Sequence, residues 1–156
     1  MPDEFRLTLS RMEVGGLADL VEQFTDLLRS GADDDPAVQR LTPNAYPDDD
    51  QAGREFHRLT AADLIARRVA DAGVVADGLA TAGIAGEPED LVHIALDAAA
   101  IDSWMRTLSA LRLIISSRLG VEDDGEHDPD DARFGVYDWL GYRLDGLVEA
   151  TDDLLP

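Results

Sequence analysis

Four groups of residues in this chain have side chains suited to chemistry. The first is histidine, at His57, His93 and His127. Histidine titrates near neutrality and ligates metals, so a converged set would make a general base or a zinc site. These three are far apart, and no histidine pair falls at i,i+4 spacing. They read as surface or satisfied histidines. The second group is the acidic run from Glu122 to Asp131, which invites a calcium reading. Its spacing does not fit an EF-hand, and Pro129 breaks the register. That run and the triplets Asp33–Asp35 and Asp48–Asp50 read as solvated acidic loops. The third group is a pair of arginines set inside apolar stripes. Arg68 falls among Leu64, Val75 and Leu79 on the wheel, and Arg112 among Leu108, Leu111 and Ile115. A buried guanidinium must be paired. An internal ion pair, an anion or partner site, and snorkelling to the surface are the three readings. The fourth group is Trp139, Tyr142 and Asp138, which lie off the main apolar face of the last helix. They mark either a helix covered on two sides or a contact for a partner or a second copy.

Composition narrows the field. The chain has 156 residues, 33 acidic against 13 basic, for a formal net charge of -20. All the cations are arginine, as a GC-rich genome would encode, and cysteine is absent. Without cysteine there is no disulfide, thiolate metal site, cysteine nucleophile or thiol switch within the chain. The charge repels phosphate backbones, so direct nucleic-acid binding is not expected. No apolar run approaches the roughly 18 residues of a membrane span. No basic and apolar leader opens the sequence, so the expectation is a cytoplasmic protein. No phosphate-loop, dinucleotide or hydrolase motif appears. Neither a metal nor a cofactor is expected.

The elements that must position these groups read as mainly helical. Phe5, Leu7 and Leu9 alternate with polar residues in a strand at about 4–10. Ser10 and Glu13 form a capping box for a helix at about 11–29, with Met12, Leu17, Leu20, Val21, Phe24, Leu27 and Leu28 on its face. A polar loop at about 31–53 follows, in which Leu41 and Tyr46 suggest docking. Thr60 and Asp63 cap a helix at about 61–81, striped with Leu64, Ile65, Val69, Ala72, Ala76 and Leu79. Val92, Ile94 and Leu96 suggest a second strand at 92–96, in competition with a longer helix. Asp97 caps a helix at about 98–118 that Gly120 stops. After an acidic loop at about 121–131, a last helix at about 131–153 carries Phe134, Tyr137, Leu140, Leu144, Leu147 and Val148. The sum is one domain over 1–156, a bundle of about four helices with a small two-stranded ribbon.

Four segments together resemble one family. They are Arg40-Leu41-Thr42-Pro43-Asn44-Ala45-Tyr46-Pro47-Asp48-Asp49; Glu55-Phe56-His57-Arg58-Leu59-Thr60 with Asp63-Leu64; Trp104-Met105 through Leu108, with Arg112-Leu113 and Arg118-Leu119-Gly120; and Tyr137-Asp138-Trp139-Leu140-Gly141-Tyr142. In this order they resemble an actinobacterial family catalogued as a domain of unknown function, some of whose members are described as oxidation-sensing transcription regulators. The resemblance implies a cytosolic, mainly helical protein without enzymatic activity. It implies regulators that contact a sigma factor and sense oxidation through an intramolecular disulfide. This sequence departs by having no cysteine, so that switch does not carry over. It also has Ser109-Ala110 where the resemblance implies Asn-Asp, which removes a carboxylate near Arg112.

The leading expectation is therefore a non-enzymatic, protein-binding regulator, with a sigma factor as the implied partner and a homodimer as a second use of the same face. Contact would run through Trp139, Tyr142 and Asp138. One alternative is an anion-binding protein or enzyme using Arg68 and Arg112. Another is an assembly protein with no switch.

Overall fold

A computed structural model of the chain describes residues 4–30, 35–41, 51–83, 85–120 and 130–154, the side chains at 51–54, 56–57 and 154 excepted. The first element, β1 (Glu4–Ser10), pairs antiparallel with β2 (Leu91–Asp97), in register from Glu4 opposite Asp97 to Ser10 opposite Leu91. Alternation sorts the two faces. Leu7 and Leu9 turn inward with Ile94 and Leu96, while Thr8 and His93 meet on the outer face through a 2.9 Å hydrogen bond. The second strand is thus present, one residue longer at each end than expected.

Helix α1 (Arg11–Arg29) begins with the expected capping box: Glu13 N–H donates to Ser10 Oγ, and Ser10 N–H donates to Glu13 Oε1. Its buried side is Val14, Leu17, Val21, Phe24 and Leu28. Met12, expected on that side, is 68% exposed. It precedes Val14 by two positions, about 200° round the wheel, so the core-facing phase excludes it.

Helix α2 (Pro36–Leu41) occupies part of what the sequence suggested was loop. Asp35 caps it by accepting from Ala37 N–H at 2.9 Å, and Pro36 needs no such acceptor. Ala37, Val38 and Leu41 are buried, so the docking expected of Leu41 is met. Tyr46, with 31–34 and 42–50 of the expected loop, and the 121–129 part of the second acidic loop lie outside the described residues.

Helix α3 (Gln51–Ala80) starts ten residues before the expected position. Thr60 and Asp63 lie inside it rather than capping it. Neither residue breaks a helix, and Glu55 and Arg58 support the added turns as an exposed i,i+3 pair. Ala72, Val75 and Leu79 are fully buried, whereas Ala76 is exposed. The Arg11 guanidinium closes the far end, donating to the carbonyls of Ala82 and Gly83.

Helix α4 (Ala98–Leu119) is the central element, packed against α2, α3 and β2. Asp97 accepts from Ala100 N–H at its start, and Gly120 ends it with a left-handed φ of 78°. A 3-10 turn (Ala132–Phe134) then leads into α5 (Gly135–Leu154), which packs on α4. Leu140, Leu147 and Ala150 are buried. Val148, expected on the apolar face, is 52% exposed because it sits one position, about 100°, past Leu147. One apolar cluster draws on all five helices and both strands. No helix among the described residues is long and apolar enough to cross a membrane.

Two glycines of α3 differ in a way that can be measured. A Cβ added at Gly73 meets nothing within 4 Å, whereas one at Gly78 would sit 3.3 Å from the Trp104 ring and 3.5 Å from Ile94. Both neighbours are 1% exposed and have nowhere to retreat. Gly73→Ala is expected to stabilise the protein by about 0.5–1 kcal/mol through helix propensity. Gly78→Ala is expected to forfeit that gain to overpacking of about 1–3 kcal/mol. Urea midpoints moving the same way for both would contradict this packing.

Candidate functional site

Beside its buried row, α5 carries two groups of side chains, one facing outward and one bracing the helix against α1. Tyr142 is 68% exposed, and Asp138 is exposed beside it. Trp139 is only half-buried, but its ring packs against the core and its Nε1–H donates to Glu13 Oε2 at 2.5 Å. The expected face is therefore split: Tyr142 and Asp138 face outward, while Trp139 braces α5 against the start of α1. Arg143 completes the brace, pairing with the same Glu13 oxygen at 2.6 Å. Its guanidinium also lies 5.3 Å from the Tyr142 ring centre and 5.9 Å from that of Trp139.

Glu13 therefore does three jobs. It caps α1, accepts from the indole and pairs with Arg143. Burial pushes its carboxyl up, but the Ser10 N–H, Arg143 and Trp139 together outweigh burial and bring it from 4.5 to about 2. The sequence announced only the cap, because the other two partners lie more than a hundred positions away.

A second brace joins α3 to α4. Arg106 donates to both oxygens of Asp71 at 2.9 and 3.0 Å, and Ser103 adds a third bond. The Arg106 bonds hold the Asp71 carboxyl below its usual range. A third brace ties α4 to the start of α2, where Arg118 grips Asp35 at 3.0 and 2.7 Å. It likewise lowers the Asp35 carboxyl. Nothing in the local sequence pattern pairs these residues.

The structure does not bring Arg68 and Arg112 together. Arg68 lies at the α3–α4 seam, where Nη1 approaches the Arg106 carbonyl at 3.5 Å and buried Nε has no acceptor. Arg112 points the other way, toward α5. Its Nε donates to the Tyr137 carbonyl at 3.2 Å, and its guanidinium stacks 4.0 Å over the Tyr137 ring. Gly141 makes this approach possible, since a Cβ there would lie 3.1 Å from the guanidinium. Among the described residues neither arginine has a carboxylate within ion-pair distance. A pocket of about 510 Å³ opens at Arg112, lined also by Arg40, Ser109, Ser116 and Tyr137.

A larger groove of about 1090 Å³ runs between α1 and α3, floored by Val14, Ala18, Val21, Ala72 and Leu79. It exists because Gly15, Gly73 and Ala76 leave its walls without bulk. Sequence reasoning gave no hint of it, since the two stripes come from segments fifty residues apart. His93 is bonded to Thr8 on the ribbon. The His57 side chain, His127 and the 122–129 part of the acidic run lie outside the described residues. Among the described residues no cluster of three or more His, Asp or Glu could hold a metal.

These features define a mainly helical protein whose polar interior is spent on cross-braces, with an outward aromatic and acidic face on α5 and an arginine pocket beside α4. The sequence pattern of the family described as Domain of unknown function (DUF2017) matches residues 1–151, so the chain belongs to that family. Comparison with curated proteins and with solved structures gives no match.

Proposed function

We propose that this chain is a non-enzymatic regulator that binds a basic protein partner on the outward face of α5. The observation that carries the reading is one helical stripe. Asp138, Tyr142, Asp145 and Glu149 follow one another at i, i+4, i+7 and i+11, and all four are exposed. A large exposed tyrosine within a row of carboxylates supplies an anchor and a field at once. Aromatic side chains dominate binding energy at interface centres, and surrounding charge steers the encounter. Arg143 stacks beside Tyr142 and is itself held by Glu13, so the anchor is preorganised.

The same charges argue for a different chain as partner rather than a second copy. A twofold contact through this face would set acid against acid in a protein of net charge -20. A sigma factor, the partner implied by the resemblance, has basic surfaces for nucleic acid and meets the electrostatic requirement. Contact with DNA would then be indirect. With no cysteine in the chain, regulation would run through partner binding and not through an internal disulfide.

Surface-immobilised housekeeping sigma factor from the native organism is the direct test. Tyr142→Ala is expected to weaken binding about tenfold or more, mainly through faster dissociation. Asp145→Arg is expected to slow association and flatten its salt dependence. Wild-type affinity in both variants would remove this face. Absence of binding by the wild type would remove the sigma factor, and the same two variants in affinity capture from native extract would then test the face alone.

A further inference from the structure

We propose that the outer edge of β2 pairs with the same edge of a second copy of this chain, joining two ribbons into one four-stranded sheet. This inference is independent of the α5 face.

The ribbon has two strands, so each strand has one side without a neighbouring strand. The register fixes which backbone groups are left over. Arg11 N–H donates to the Asp90 carbonyl at 2.9 Å, one step past the last pair, Ser10 opposite Leu91. Bonded and non-bonded pairs alternate in an antiparallel ladder, so the bonded ones are Leu9–Val92, Leu7–Ile94 and Phe5–Leu96. The N–H and C=O groups of Leu91, His93 and Ala95 therefore point away from β1, as does the Asp97 N–H. Among the described residues no other group bonds to them. Leu91, His93, Ala95 and Asp97 are all exposed. An extended strand is the protein partner whose spacing matches such a row.

The two edges of the ribbon are unlike. On β1 the corresponding positions are Glu4, Arg6, Thr8 and Ser10. Glu4 and Arg6 are charged and exposed, and the Ser10 N–H is taken by Glu13. Charges of this kind blunt an edge against pairing. β2 reads LVHIALD, with no proline, no break in register and Asp97 as its one formal charge. Leu91 is 65% exposed at its start. In a chain of net charge -20, this is a stretch where two copies can meet without setting acid against acid.

The strand also complements itself. A twofold axis through Ile94 sets Leu91 opposite the partner's Asp97 and His93 opposite the partner's Ala95. Every outward position of β2 then falls in a bonded pair, and no like charges face each other. Such pairing closes, because it consumes both open edges and leaves the sheet bounded by the charged edges of β1. The net charge still opposes association, so salt must favour it.

The test uses the full chain. Sedimentation equilibrium and amide hydrogen exchange are measured from about 10 µM to 1 mM, the range of weak complexes. A monomer–dimer equilibrium is expected. The His93 and Ala95 amides should exchange about fivefold more slowly at the top of that range, while the Ile94 amide, bonded to β1, is protected throughout. Raising salt from about 50 to 500 mM should strengthen association severalfold. Leu91→Arg faces the partner's Asp97 and should tighten the dimer about fivefold, and Leu91→Glu should loosen it as much. The same two changes at Leu59, also 65% exposed, control for net charge and should have less effect. Ala95→Pro removes an outward N–H that β1 does not use, and should abolish the dimer with the circular dichroism spectrum unchanged. Three results would overturn the proposal: a wild type monomeric at the highest concentration, a dimer whose His93 and Ala95 amides stay unprotected, or equal responses to charge at Leu91 and at Leu59.

Discussion

Trp104→Ala is expected to cost the fold about 3–5 kcal/mol, the range for deleting a large buried aromatic. Trp104 is 1% exposed and lies where three elements meet. It comes from α4, its ring lies against Gly78 of α3, and Ile94 of β2 shares that contact. Truncation would leave a cavity that none of these backbones can close. Domains of this size have about 5–15 kcal/mol in total, so the loss is a large fraction. The measurement is urea denaturation by far-UV circular dichroism, with a lower midpoint and an unchanged slope. Trp104→Phe should lose less. It keeps most of the ring and removes an indole N–H that is buried without an acceptor. A loss below about 1 kcal/mol for the alanine variant would contradict the packing described.

The second large effect is at Glu13 and depends on pH. Its folded-state value of about 2 lies below the ordinary 4.5. A depressed carboxylate stabilises the fold above its unfolded value and ceases to do so as pH falls toward the folded one. The contribution should therefore be whole above about pH 5 and lost between 4.5 and about 2. The shift corresponds to about 3 kcal/mol at 1.36 per unit, and about 2 after screening at a side chain 23% exposed. Stability of the wild type and of Glu13→Gln, measured from pH 7 to 2.5, should differ by that amount at neutrality and converge in acid. A gap that stays constant across the range would place its origin in shape rather than in charge.

What could be read from the sequence was local. Ser10 with Glu13, Asp97 and Gly120 are capping signals that act within three residues, and all appear as expected. The strand alternation also held, and with it the mainly helical fold with a small ribbon. Two misreadings came from phase and from punctuation. Met12 and Val148 are apolar by type, but the buried arc is narrower than the apolar one. Thr60 and Asp63 resembled a helix start, yet Thr and Asp inside a helix cost only tenths of a kcal/mol, and α3 runs through them. The site was less legible. Arg112 could be singled out because a charge within an apolar stripe is visible on one wheel. Its neighbour Arg40 comes from another helix, and only packing brings the two to one pocket. Glu13, Arg143 and Trp139 likewise meet across 126 and 130 positions, a distance over which periodicity carries no information.

The ribbon bears on how the chain folds. Its two strands share a face only after a sequence separation of 85 residues, as between Thr8 and His93, has been closed. Closing so long a loop is entropically costly, and a pair of short strands returns little by itself. Once α1 has packed on α3, however, the strands are delivered to each other with most of the search already done. The strand pairing therefore depends on the helix contacts that bring its partners together, as a clasp depends on the assembly it fastens.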